Sequence, residues 1–239
     1  MKRRRLCILL NNLNEYDFQD LVRQYLPEAS YDVTVTEAFP ANPSEYLVII
    51  PWNYKKIIPE AEEAGNVVVL HSSNLPEGRG WAPIYYAFSE QRDEFVISGI
   101  LAANEVDAGD VVIRARFAME AGYTAPFIRE IDRELSLLLI AKILENWPNG
   151  RPSGIRQSGV VSHRIRRHPV DNQIDPGRSV LELLPHLRGV EGNSPAFFYV
   201  DDVKYLIEIR PQSRPNKPAT VTIEYPVFEK TETWTGWAS

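Results

Sequence analysis

A histidine and an aspartate occupy positions where they could move protons. His71 follows the apolar run 67–70, three of whose four residues are β-branched, and a polar turn with Pro76 comes next. Such a run predicts a buried strand, and open α/β sheets bind ligands beyond the carboxyl ends of their strands. The unperturbed pKa of a histidine, about 6.5, suits proton transfer near neutral pH. The alternative is an ordinary, partly buried histidine with satisfied hydrogen bonds.

The second candidate is Asp107, in the sequence Val-Asp-Ala-Gly-Asp at positions 106–110. A carboxylate within reach of an imidazole raises the pKa of the ring and fixes its orientation. A histidine held in this way can accept a proton from an attacking amine or, when charged, stabilise an oxyanion. Alone, the segment is also compatible with a generic turn. The functional interpretation therefore depends on the two residues meeting in the fold.

The composition limits the classes of protein to consider. The 239 residues carry a formal net charge of −6, which disfavours a general nucleic-acid binder, although a local basic patch is still possible. With Cys7 as the single cysteine no intrachain disulfide can form, and we expect a cytoplasmic location. We expect no membrane span and no signal peptide, because the apolar run at 6–10 is short and no small-residue cleavage site follows it. The sequence contains no nucleotide-binding glycine motif, and it predicts no metal site.

The elements that must position these residues alternate along the chain. Apolar or alternating runs predict strands at 5–10, 31–36, 46–50, 67–70, 94–102 and 111–118. Helical spacing predicts helices at 16–26, 54–64, 82–88 and 124–144, of which the last has the strongest signal. Strands that alternate with helices indicate an α/β fold with a parallel sheet covered on both faces.

The last third of the chain has a different pattern. We expect a catalytic domain at 1–150, a connector rich in Gly, Pro and Arg at 151–176, and a small α+β region at 177–239. That region should contain a helix at 179–187, a hairpin around Asp201 and Asp202, and a strand at 220–227. The tail at 231–239, with Trp234 and Trp237, is either frayed or docked.

Several motifs occur together in one order. They are His-Ser-Ser-Asn-Leu-Pro at 71–76, Gly-Arg-Gly-Trp-Ala-Pro at 78–83 and the segment around Asp107, with further matches at 50–59, 167–169, 174–175 and 193–197. This order resembles the N10-formyltetrahydrofolate-dependent formyltransferases over about residues 45–210. Within that superfamily it is most similar to N-formyltransferases of nucleotide-linked amino sugars, and less similar to methionyl-tRNA formyltransferases.

The resemblance implies a Rossmann-like formyltransferase domain with a mostly parallel sheet. Such an enzyme moves a formyl group from N10-formyltetrahydrofolate to the primary amine of a nucleotide-linked amino sugar, as in lipopolysaccharide O-antigen biosynthesis. His71 and Asp107 match the family's catalytic histidine and aspartate. The folate pterin would lie between 50–54 and 104–107, where the cofactor-binding candidates are Pro51, Trp52, Asn53, Asn104, Val106 and Asp107. Trp52 has the alternative of being a core aromatic.

One position departs from the family pattern. The family has an asparagine two residues before the histidine, and its amide donates to the developing oxyanion, whereas this chain has Val69. Losing one such donor costs about 10²–10³-fold in rate. If the enzyme is active, we expect Asn74 or Asn53 within hydrogen-bond reach of the formyl site, and Asn74 is the candidate catalytic residue.

The sequence indicates the residues that would bind the acceptor substrate less clearly. Arg79, Trp81 and Tyr85 are the candidate substrate-binding residues, because arginine pairs with diphosphate and aromatic rings stack on bases or sugars. Tyr85 is also compatible with a helix that has an aromatic core face. Two other functions stay open: formyl transfer to methionyl-tRNA or to a small amine such as hydroxyornithine, and binding of folate or a sugar nucleotide without catalysis. The last strands and terminal tryptophans could form a homodimer contact.

Overall fold

The computed structural model describes residues 4–13, 22, 24–26, 31–147 and 151–237. Most of the helix predicted at 16–26 lies outside these residues. The strands are β1 (Arg4–Leu9), β2 (Tyr31–Thr36), β3 (Val48–Pro51), β4 (Val68–His71), β5 (Arg79–Gly80), β6 (Glu94–Leu101), β7 (Val111–Ala118), β8 (His163–Arg164), β9 (Ala196–Val200), β10 (Val203–Ile207), β11 (Val221–Tyr225) and β12 (Lys230–Trp234). The α-helices are α1 (Ala61–Ala64), α2 (Pro83–Ser89), α3 (Ala125–Asn146) and α4 (Val180–Gly189).

The first strands form the parallel part of the fold. Strand β1 lies between β2 and β3 and pairs with both in parallel. A parallel bridge between Ile49 and Val67 joins β3 to the start of β4. The carboxyl ends of β1, β3 and β4 therefore point to one edge. Because the strand order reverses at β1, this edge has the crevice in which α/β sheets bind ligands.

The second half of the sheet is antiparallel. Its strand order is β12-β11-β7-β6-β4, and every neighbouring pair runs in opposite directions. The α/β class is confirmed, but the parallel share is smaller than expected. The reason is local, because residues 102–110 are too few to carry a crossover helix between β6 and β7.

Helix α3 covers the antiparallel strands. It packs on β6 and β7, and the side chains predicted for its apolar face are all buried, namely Phe127, Ile131, Leu135, Leu138, Leu139 and Ile143. Burying one such side chain stabilises a fold by about 1.5–3 kcal/mol. The helix predicted at 54–64 is shortened to α1, since Pro59 has no N–H to donate and disrupts the preceding turn.

The C-terminal region closes the fold. The hairpin of β9 and β10 turns at Asp201 and Asp202, whose φ angles of 47° and 65° are those of the two-residue turn that matches strand twist. Strand β11 pairs with β7 and so extends the central sheet. The tail is docked as far as Trp237, whose Nε1 donates to the Pro218 carbonyl at 2.6 Å. The division into domains stays a prediction.

Candidate active site

His71 lies at the carboxyl end of β4 and is 8% exposed. Its Nε2 is 2.9 Å from the Gly78 carbonyl oxygen, and its Nδ1 is 3.5 Å from Asp107 Oδ2. The two candidates from distant segments therefore meet. Since a carbonyl oxygen can only accept hydrogen bonds, Nε2 is the ring nitrogen that donates to Gly78, while Nδ1 faces the Asp107 carboxylate at ion-pair distance.

Backbone and side-chain contacts hold Asp107 in place. Its φ of 55° lies in the left-handed region, and its Oδ2 accepts a hydrogen bond from Gly80 N at 2.8 Å. Gln157 Nε2 donates to the carbonyls of Asp107 and Gly109, each at 2.8 Å. This role of Gln157 could not be predicted from the sequence, because its partners lie about fifty positions away along the chain.

Gly109 sits where the Asp107 loop returns to the sheet. A Cβ added there would lie 1.7 Å from the Leu101 carbonyl oxygen. Gly109→Ala must therefore push the loop away from β6, and we expect it to lower the free energy of unfolding by at least the 1–3 kcal/mol that is typical of overpacking. Urea denaturation measures this change. The matched control is Gly192→Ala, where an added Cβ meets nothing within 4 Å, and equal effects of the two substitutions would contradict the packing argument.

Val69 lies on the same face of β4 as His71, because alternate residues of a strand share a face. It packs against a small apolar cluster of Leu75, Ile100 and Val111. Asn74 and Asn53 are both exposed, and neither makes a hydrogen bond to His71 or Asp107 in the described part of the chain. An amide donor near the formyl site thus stays a prediction.

The two walls predicted for the pterin are adjacent. Tyr54, after β3, and Ala102, before the Asp107 loop, pack against the same apolar cluster. Asn104 N donates to Glu62 Oε2 at 3.1 Å, which ties this loop to α1. The walls therefore share one edge of the sheet.

The individual pterin candidates differ in exposure. Pro51 and Trp52 are buried, and Trp52, 5% exposed, packs in the main core. Asn53 has a left-handed φ of 47° and is exposed. Val106 is 62% exposed beside Asp107. An exposed apolar side chain next to polar backbone groups fits a flat ring with a hydrogen-bonding edge.

The acceptor candidates have other contacts. Arg79 is 7% exposed, and its guanidinium donates to Glu105 Oε1 at 2.8 Å and to Gln157 Oε1 at 2.9 Å. It therefore supports the Asp107 loop, which a sequence motif alone does not reveal. The Tyr85 hydroxyl is 2.9 Å from His186 Nδ1, and the Arg167 guanidinium stacks 3.4 Å from the Tyr85 ring. Trp81 is exposed beneath Arg166.

A cleft of about 650 Å³ opens beside this centre. Ser72, which follows His71, and Asp132 of α3 both line it. The Ser72 hydroxyl donates to Asp132 Oδ1 at 2.6 Å, and Asp132 is 8% exposed. Sequence reasoning missed Asp132, although a charged residue on the apolar face of a predicted helix was an available signal. Basic side chains also line the cleft, namely Lys55, Arg129, Arg167 and His168.

Burial raises the pKa of the Asp132 carboxyl, against the opposing effects of the Ser72 hydrogen bond and the nearby charges of Arg129 and His71. The folded state thus binds this proton more tightly than the unfolded state. The resulting stabilisation is complete below the ordinary aspartate pKa of about 4 and is lost as the pH rises through the folded-state pKa.

Asp132→Asn is therefore expected to gain stability relative to the wild type as the pH rises from about 4, because the amide never ionises. Its Oδ1 can still accept from Ser72. Thermal unfolding of both proteins across this pH range measures the difference. Two melting curves that keep a constant separation at every pH would contradict the burial argument.

In the described residues, no group of three or more His, Cys, Asp or Glu could hold a metal ion. No helix in those residues is long and apolar enough to cross a membrane.

Comparison with known proteins gives relatives of one kind. No protein-family profile matches the chain. The methionyl-tRNA formyltransferase of Bacillus thuringiensis (strain Al Hakam) is 27% identical over 150 residues, which cover 60% of this chain and 47% of the relative. The chain thus spans about half the length of the curated relatives it matches.

Solved structures show the same fold. The methionyl-tRNA formyltransferase from Clostridium thermocellum has a TM-score of 0.68 and 17% identity, covering 98% of this chain and 100% of that one. HypX from Aquifex aeolicus in complex with tetrahydrofolic acid has a TM-score of 0.69 and 19% identity, and the match covers 93% of this chain and 42% of HypX. A 4-N formyltransferase from Francisella tularensis has a TM-score of 0.70 and 12% identity, and the match covers 88% of this chain and 98% of that protein. These likenesses confirm the formyltransferase fold and the resemblance to formyltransferases.

Proposed function

We propose that the chain is an N-formyltransferase that uses N10-formyltetrahydrofolate and acts on the primary amine of a nucleotide-linked amino sugar. The observation that carries the proposal is the pairing of His71 with Asp107 at the ligand-binding edge of the sheet. Support for the donor comes from the exposed Val106 and the left-handed Asn53 at the two walls of that edge. HypX, a neighbour of the same fold, was solved with tetrahydrofolic acid.

N10-formyltetrahydrofolate supplies the formyl carbon that the acceptor amine attacks. His71, when protonated, stabilises the negative charge that develops on the formyl oxygen, because its ring is held in place between two protein oxygens. Asp107 orients the ring and is itself fixed by Gly80 N, which donates to its Oδ2. Burial of both side chains strengthens these electrostatic interactions.

The cleft supports a phosphate-bearing acceptor. Of its basic residues, Arg167 is held over Tyr85, so its charge is prepositioned. Guanidinium groups bind phosphate oxygens in fork geometry, and ammonium groups attract them as point charges. A sugar carrying a diphosphate matches a cleft that has both basic side chains and a buried carboxyl group.

Methionyl-tRNA is the second candidate acceptor. The curated relatives at 27% identity are methionyl-tRNA formyltransferases. The net charge of −6 counts against it, because binding of tRNA depends on neutralising many phosphates.

Thermal shift tests the binding part of the proposal. A ligand that binds only the native state at 100 times its Kd stabilises by about 2.7 kcal/mol. We expect stabilisation by a non-hydrolysable folate analogue and by amino-sugar nucleotides, and none by deacylated tRNA. Stabilisation by tRNA alone would favour the second candidate. Folate binding without formyl transfer would favour a non-catalytic protein.

A homodimer is part of the same proposal. The terminal tryptophans are partly buried against their own chain, and their part in a dimer contact stays a prediction. The hairpin of β9 and β10 offers a further apolar surface, because Val200, Val203 and Tyr205 are exposed and share one face of it. A monomer in sedimentation at micromolar concentration would contradict the dimer.

A further inference from the structure

The contacts of His71 do not explain which residue takes the proton from the acceptor amine. An acceptor amine arrives as an ammonium ion and must lose a proton to attack. Both ring nitrogens of His71 already face oxygen acceptors, at 2.9 Å and 3.5 Å. Because protein oxygens already engage both nitrogens, neither is open to the incoming amine, and another group is needed to receive its proton.

We propose that Asp132, with Ser72, forms the subsite that binds the acceptor's amino group and receives its proton. The inference rests on the proposed function and names the part of the cleft that recognises the amine. The ammonium first gives a proton to the Asp132 carboxylate, and the lone pair this frees forms the bond to the formyl carbon. As the bond from the formyl carbon to N10 breaks, the amine nitrogen loses a second proton and N10 takes one up, so that an amide and tetrahydrofolate result. Asp132 then returns its proton to water.

The geometry of the carboxyl group supports this assignment. Ser72 occupies Oδ1 with a 2.6 Å hydrogen bond, while Oδ2 receives no hydrogen bond from the described residues. Ser72 and Asp132 both line the cleft, and Ser72 directly follows His71. An amine held by Asp132 is therefore next to the group that stabilises the formyl oxygen.

The electrostatic environment matches an ammonium ligand. A carboxyl group that is 8% exposed loses most of its hydration, and a bound cation restores the stability of its charged form. Burial also raises the pKa of Asp132, which makes it the stronger proton acceptor. A buried ionisable group that lines a cleft is more typical of a functional site than of a structural core.

Binding of a matched ligand pair tests the subsite without requiring turnover. The probes are dTDP- and UDP-linked 4-amino-4,6-dideoxyglucose, each compared with the 4-hydroxy analogue by isothermal titration. The wild type should bind at least one amine at least tenfold more tightly than its hydroxyl analogue, and Asp132→Asn should lose that preference. The control is Glu130→Gln, which removes a carboxylate of the same helix that lies outside the cleft and pairs with Arg214. This variant should keep the preference for the amine.

Each outcome separates this inference from the proposed function. A wild type that shows no preference or binds neither amine, or an Asp132→Asn variant that keeps the preference while folded, overturns the amine subsite. If Asp132→Asn forms product with an unchanged KM and kcat for the amine, the subsite is likewise refuted although formyl transfer stands. Asp132-dependent amine binding without transfer from any formyl donor supports the subsite and refutes the proposed function.

Discussion

Replacing His71 with alanine is expected to lower kcat for formyl transfer by about 10²–10⁴-fold, the range for loss of one positioned proton-transfer or charge-stabilising group. The imidazole ring, held between Gly78 O and Asp107, is the group placed to meet the charge on the formyl oxygen. Alanine leaves Asp107 bound to Gly80 N, so the loop should keep its position. Affinity for a folate analogue should therefore change little.

Steady-state kinetics and folate titration of the same variant measure the two effects. His163→Ala is the matched control, since His163 is exposed on β8 and lies outside the site. Asp107→Ala should lower kcat in the same direction, by no more than His71→Ala does, because Asp107 acts through the ring that it orients. If His71→Ala keeps more than a tenth of the wild-type kcat, the histidine has been assigned the wrong role.

Val69→Asn is expected to raise kcat by up to about 10²–10³-fold, because it adds an amide donor where the oxyanion develops. Val69 shares the His71 face of β4, and the formyltransferases that this chain resembles have asparagine at this place. Among the described residues, no side-chain amide donates a hydrogen bond to the His71 ring or to the Asp107 carboxylate. A gain in rate from a single substitution would show that Val69 limits the chemistry.

The variant also has a structural cost. Val69 packs against Leu75, Ile100 and Val111, and a polar group without a partner there costs about 1–3 kcal/mol of stability. Val69→Asp is the control, since aspartate has the same shape as asparagine but donates no hydrogen bond when ionised. A folded Val69→Asn protein with the wild-type kcat would contradict the expectation and indicate that another donor serves the formyl oxygen.

Local signals in the sequence were sufficient to predict many elements. The β-branched run before His71 predicted β4, and the spacing of apolar residues predicted α3 within two residues at each end. Ser179 begins α4 as an N-cap that exchanges hydrogen bonds with Glu182. The pairing of His71 with Asp107 was also predicted, although it depended on a resemblance rather than on periodicity.

The same local signals do not predict contacts between residues that are distant in the sequence. The direction of β6 and β7 follows from a short connection and from pairing with β11, neither of which a hydrophobic period encodes. Arg79 has the type of side chain that binds phosphate, but its partners in the fold are Glu105 and Gln157, which lie 26 and 78 positions away in the sequence. Asp132 meets Ser72 only when α3 packs beside the residue that follows β4, sixty positions earlier in the chain.

The measurement that tests the central claim most directly is formyl transfer from N10-formyltetrahydrofolate to a panel of nucleotide-linked amino sugars, with methionyl-tRNA included. The account predicts product with at least one amino-sugar nucleotide, and none above background when His71 or Asp107 is replaced by alanine. Product from methionyl-tRNA alone, product that is undiminished without His71, or no product with any amine would contradict it.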